Sequence, residues 1–99
     1  MAVPELTSSA KADLAAIVQY TLDTWGHDQA KTYVHKFKVC LEKISKGTAL
    51  SRLKLKDKKC KALLCEHHYI FYLDRDPKVV IAILHERMDL TKRLKERLE

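Results

Sequence analysis

Glycine and proline are almost missing from this chain, with two of each in 99 residues. That scarcity excludes collagen-like, linker-rich and low-complexity architectures, which need those residues in quantity. Cysteine is scarce and odd in number. Three thiols (Cys40, Cys60 and Cys65) cannot all pair, and residues 1–6 lack signal-peptide character. They are therefore expected to be reduced thiols in a cytoplasmic protein, buried as small hydrophobes. No apolar run approaches the ~20 residues of a membrane-spanning helix, so a soluble chain without membrane contact is expected. Acidic residues are in deficit. Thirteen of them against 19 basic ones leave a net charge of +6, which suits an acidic or polyanionic partner. The length allows one domain, residues 1–99, with a single modest core.

Apolar spacing supplies the elements. Residues 3–6 form a short apolar opening, consistent with a strand that pins the N-terminus. Thr7, Ser8 and Ser9 are N-cap residue types, and Ala10, Leu14, Ile17, Val18, Thr21 and Trp25 recur at helical spacing over residues 9–25. Gly26 ends that helix. Asp28 suits the cap of a second, with Ala30, Tyr33, Val34, Phe37, Leu41 and Ile44 as its apolar face and Gly47 as its stop. So short a connection predicts an antiparallel helical hairpin. Residues 48–59 are lysine-rich and aperiodic and read as a loop. Three strands follow at 61–66, 69–74 and 79–85, with a turn at Arg75-Asp76-Pro77. Asp89 can cap a final helix in which Leu90, Leu94 and Leu98 form one stripe among Lys92, Arg93, Lys95 and Arg97. The expected fold is α+β in the order β-α-α-β-β-β-α: an antiparallel sheet packed against an N-terminal helical hairpin, with a short C-terminal helix.

Three clusters bear on chemistry. Eight basic residues from Lys43 to Lys61 face a single acid, Asp57, a local excess larger than the whole-chain charge. Such a segment attracts an acidic partner or polyanion, or is simply a solvated loop. No aromatic residue interleaves it, so the stacking of a single-strand RNA reader is missing. His67 and His68, near Cys60 and Cys65, lack metal-binding spacing, and strand neighbours point to opposite faces; no metal or cofactor is expected. His85, Glu86, Arg87, Met88 and Asp89 end the last strand, a position from which small α+β proteins present contacts or chemistry. They could form an acid/base and oxyanion-binding set for phosphodiester cleavage. The plainer reading pairs Glu86 with Arg87 on the surface and leaves Asp89 as a helix cap.

Two runs of residues carry a family resemblance. The first is Ala10-Lys11-Ala12-Asp13-Leu14, Ile17, Tyr20-Thr21, Trp25-Gly26, Gln29-Ala30 and Tyr33. The second is His68 through Tyr72, then Val80 through Asp89, and Leu94. Together they resemble the ParE toxins of the ParE/RelE superfamily over nearly the whole chain, and the element order matches as well. The resemblance implies the toxin of a type II toxin–antitoxin module that inhibits DNA gyrase, traps it on cleaved DNA and blocks replication. It also implies a ParD-like antitoxin whose C-terminal segment wraps the toxin in a hetero-oligomer. The sister RelE branch cleaves mRNA on the ribosome. Arg87 matches the phosphate-binding arginine of that branch, and Lys54 and Lys56 mimic its lysine pair.

No Tyr or His follows His85, however, so the C-terminal proton-transfer group of the nucleases is missing. Its loss costs such an enzyme a factor of roughly 100 to 10,000. The sequence thus favours a non-enzymatic gyrase inhibitor that reads no DNA sequence itself. The expected gyrase contacts are His85, Glu86, Arg87, Met88, Asp89, Lys92 and Arg93. The expected antitoxin contacts are Arg52, Lys54, Lys56, Lys58 and Lys61. The chain departs from the family at Lys59 and Lys61, where a Gly-x-Arg is usual. Lysine keeps the charge but not the planar fork. A degenerate toxin that only holds its antitoxin therefore stands as a further reading beside the ribosome-dependent nuclease.

Overall fold

Thr7 starts the first helix as a side-chain cap, its Oγ1 accepting the Ala10 N–H at 3.1 Å. In the computed structural model, which describes residues 4–48 and 59–98, this helix, α1, spans Ser8–Trp25, preceded by a two-residue strand β1, Glu5–Leu6. The second helix, α2, spans His27–Lys46. The connection is shorter than expected, because Gly26 alone serves both helices. Its N–H donates to Leu22 O, closing α1, and its carbonyl accepts the Ala30 N–H, opening α2. At φ 93 this position favours glycine. Asp28 is therefore not the cap but a first-turn acid, favourable beside the helix N-terminus. Gly47, left-handed at φ 74, ends α2 as expected.

The strands β2 (Cys60–Cys65), β3 (His68–Leu73) and β4 (Val79–His85) fall within one residue of expectation, and α3 spans Leu90–Leu98. The sheet order is β1-β4-β3-β2. The meander is antiparallel, but β1 lies parallel to β4, so the sheet is mixed rather than purely antiparallel. Two reversals separate β2 from β4, which leaves both running in the direction of β1. Most of the expected loop and residue 3 of the opening strand lie outside the described residues.

The sheet is covered on both faces, which is why β4 reads as a continuous apolar run. Toward the hairpin, Ile70, Tyr72, Val80 and Ile83 pack against Phe37, Leu41 and Ile44. Toward α3, Phe71, Ala82 and Leu84 pack against Leu94. A bulge changes the alternation on β4. Phe71 opposes Ala82 while Tyr72 opposes Val80, so Ile81 is the extra residue and shares a face with Ala82. Three residues assigned to apolar helix faces are exposed instead: Trp25, Val34 and Leu98. Trp25 has left the core altogether, at 70% exposure.

Candidate functional site at the hairpin tip

Helices of 18 and 20 residues run about 27 and 30 Å, whereas strands of six or seven residues run about 20 Å. The hairpin must therefore overhang the sheet. Beneath its tip lies a groove of about 660 Å³. Ile17, Tyr20 and Trp25 of α1 form one wall and Tyr33 and Lys36 of α2 the other. The β2–β3 turn and the start of β3 (Glu66, His67, His68), with His85 at the end of β4, form the floor. Tyr20 and Trp25 stand at the rim, 67% and 70% exposed. Aromatic side chains left in water beside a groove mark a surface that gains by being covered.

Three imidazoles meet on the floor. His85 stacks on His67 at 6.3 Å between ring centroids and meets His68 edge-on at 5.0 Å. Burial, reinforced by His85 and His67, lowers the His68 pKa to about 4. His68 is therefore neutral at pH 7, and its Nδ1 and the Tyr33 hydroxyl share a hydrogen bond of 2.7 Å. Tyr33 in turn is raised above its ordinary value, chiefly by burial. Each imidazole has its Nδ1 engaged, for His85 accepts the Arg87 N–H at 3.1 Å and His67 lies 3.2 Å from Glu86 Oε1. Among the described residues no cluster of His, Cys, Asp and Glu is arranged to hold a metal ion. The floor offers hydrogen-bonding edges and flat rings for recognition.

The junction after β4 is divided by this geometry. His85 faces the groove, and Glu86 pairs with His67, not with Arg87, because the β2–β3 turn lies directly beside it. The pairing is fixed by the Glu86 N–H donating to His67 O at 2.8 Å. Arg87 and Met88 are exposed. Asp89 caps α3 as expected, its Oδ1 accepting the Lys92 N–H at 3.2 Å. Lys92 and Arg93 are exposed on α3. Arg97 does not belong to that basic face. Its guanidinium forks onto Asp13 of α1 with two bonds of 2.8 Å and also donates to Ile81 O. Asp13 further accepts the Ile83 N–H at 3.0 Å. The two side chains thereby satisfy the edge of β4 beyond the point where two-residue β1 stops pairing.

The basic segment gives a partial result. Arg52, Lys54, Lys56 and Lys58 lie outside the described residues. Lys61 sits on β2, tied to Asp74 at 2.9 Å, and that hydrogen bond raises its pKa and lowers that of Asp74. The groove itself was missed, although overlong helices beside short strands are visible in the sequence. Its aromatic wall was hidden because Trp25 fits the helical period of the core face.

Comparison with known proteins agrees with this architecture. A family model described as ParE toxin of type II toxin–antitoxin system, parDE, matches residues 5–90, from β1 to the first residue of α3. A curated Toxin ParE of Escherichia coli is 40% identical over 95% of this chain and 94% of its own length. A solved structure titled as the chromosomal ParDE TA system from P. aeruginosa superposes with a TM-score of 0.67 at 16% identity. That match covers 82% of this chain and 91% of the other, and is a likeness of fold. The chain belongs to the ParE toxin family of type II toxin–antitoxin systems.

Proposed function

We propose that this toxin acts without catalysis, by binding DNA gyrase in the cytoplasm, and that a ParD-like antitoxin neutralises it by covering the groove under the hairpin tip. The observation that supports this reading best is the division of labour around His85. The groove has aromatic walls and includes His85, while Arg87 and Met88, both exposed, follow His85 directly in the chain, with exposed Lys92 and Arg93 beyond them on α3. An antitoxin segment seated in the groove would cover His85 and end beside the start of the junction expected to meet gyrase. With a chain charge of +6, that segment is expected to be acidic around an apolar core. Proton transfer has little support. His68 stays neutral down to about pH 4 and is held by Tyr33, and no Tyr or His follows His85.

The test is a supercoiling assay with antitoxin-free protein, read on gels that separate linear, relaxed and supercoiled plasmid. Dose-dependent linear DNA after protease treatment is expected. A folded protein that leaves gyrase untouched but cleaves mRNA on ribosomes would replace this reading with the nuclease one. The groove assignment has its own check. Tyr20→Ala with Trp25→Ala should weaken antitoxin binding by at least about tenfold in titration calorimetry. Unchanged affinity would move the antitoxin elsewhere.

A further inference from the structure

Two of the three cysteines meet across the helix–sheet interface. Cys60 and Cys65 stand at opposite ends of β2 and, by strand alternation, on opposite faces. Cys60 packs among Phe71, Ala82 and Leu94 on the α3 side. Cys65 belongs to the core cluster on the hairpin side, against which Cys40 of α2 packs, and the two thiols interact through their side chains. The Cys65 thiol donates to the carbonyl of Lys36, one helical turn before Cys40, at 3.6 Å. Cys65 is buried, whereas Cys40 is only half-buried.

The local charges distinguish the two thiols. The hydrogen bond with Cys65 lowers the pKa of Cys40 and Lys43 lowers it further, against burial and Glu66. Cys65 is raised, by its hydrogen bond to Cys40 and by its own burial. Cys40 is thus the more acidic and the less buried of the two thiols, with Cys65 beside it. That is the arrangement of an attacking and a resolving thiol.

We propose that Cys40 is an oxidation site for small hydroperoxides and that Cys65 resolves it into an intramolecular disulfide joining α2 to β2. The Cys40 thiolate attacks the peroxide O–O bond, an S–O bond forms, and the leaving oxygen departs as water or alcohol after taking a proton. The Cys65 sulfur then displaces the sulfenic oxygen, which leaves as water, and the S–S bond forms. Two thiols have lost two hydrogens in all, and one peroxide has been reduced. The staple lies next to Glu66 and at the carbonyl of Lys36, two residues that line the groove and pair with each other at 3.1 Å. It would fix the wall of the proposed docking groove, but its formation does not depend on what the groove binds.

The test uses the full chain, reduced, desalted and exposed to hydrogen peroxide, with peptide mapping by mass spectrometry. A linked Cys40–Cys65 peptide is expected, reversed by dithiothreitol, together with a higher thermal midpoint in the oxidised form. Cys60→Ser should keep the linkage. Cys65→Ser should leave a Cys40 sulfenic acid that dimedone traps roughly tenfold faster than it traps any product at Cys60. Linkage through Cys60, disulfides only between chains, or no linkage in the folded protein would each overturn the proposal. The wild-type map needs no substitution, so a variant that fails to fold does not shelter it.

Discussion

His68 couples protonation to folding through one half-buried ring. Its ordinary pKa of 6.5 falls to about 4 in the folded chain, mainly by burial and then by the neighbouring imidazoles. Between those values the unfolded chain binds the proton and the folded chain does not, so stability falls as pH drops from 6.5 toward 4 and is fully retained above 6.5. With the ring partly solvated, the loss should amount to about 1–2 kcal/mol. Urea unfolding at several pH values should show this slope, and His68→Gln should flatten it. A variant with the wild-type slope would assign the acid sensitivity to another group. The same ring gives the half-buried Tyr33 hydroxyl a hydrogen-bond partner.

At the scale of elements, α3 is held by one buried leucine and one forked ion pair. Leu94 packs among Phe71, Ala82 and Leu84, and it is the only fully buried residue of α3. Leu94→Ala should cost about 2–4 kcal/mol in urea unfolding, because the sheet face below it cannot close over the space. Arg97→Met should cost about 2–3 kcal/mol, since it leaves the little-exposed Asp13 carboxylate with the Ile83 N–H as its remaining partner among the described residues. Hydrogen exchange should show α3 opening more readily in that variant while α2 keeps its protection. Equal loosening of both would mean that the pair holds the whole molecule rather than this helix. Removing residues 90–99 is thus a poor test of target binding, because it uncovers the second face of the sheet. Lys92→Glu with Arg93→Glu is the cleaner change, as both side chains are exposed. It should reduce gyrase inhibition at least about tenfold with an unchanged thermal midpoint.

At the scale of the molecule, charge and shape act in different places. The positive excess is concentrated between Lys43 and Lys61, whereas the groove under the hairpin tip has aromatic walls over a floor of imidazoles. Binding of an acidic antitoxin should therefore respond to two independent changes. Replacing Lys54, Lys56 and Lys58 by Glu should slow association and weaken its salt dependence. The aromatic substitutions at Tyr20 and Trp25 should speed dissociation instead. Surface plasmon resonance at two ionic strengths separates the effects, and an unchanged association rate would discard the basic segment as an antitoxin contact.

Local interactions made much of this protein legible from its sequence. Helical spacing, Thr7, the two glycines and the apolar strands with the turn at Asp76-Pro77 gave element order and limits, because each depends on neighbours in the chain. The cap at Asp89 and the junction that begins at His85 were legible for the same reason. Tertiary structure decided what depends on distance in space. It set β1 parallel to β4, joined Asp13 to Arg97 across 84 residues, and turned Glu86 to His67 instead of Arg87. It also carried Trp25 past the end of the sheet, although its spacing matches that of core residues. Period fixes which side of a helix a residue occupies. Only the length of the partner sheet decides whether anything is there to bury it.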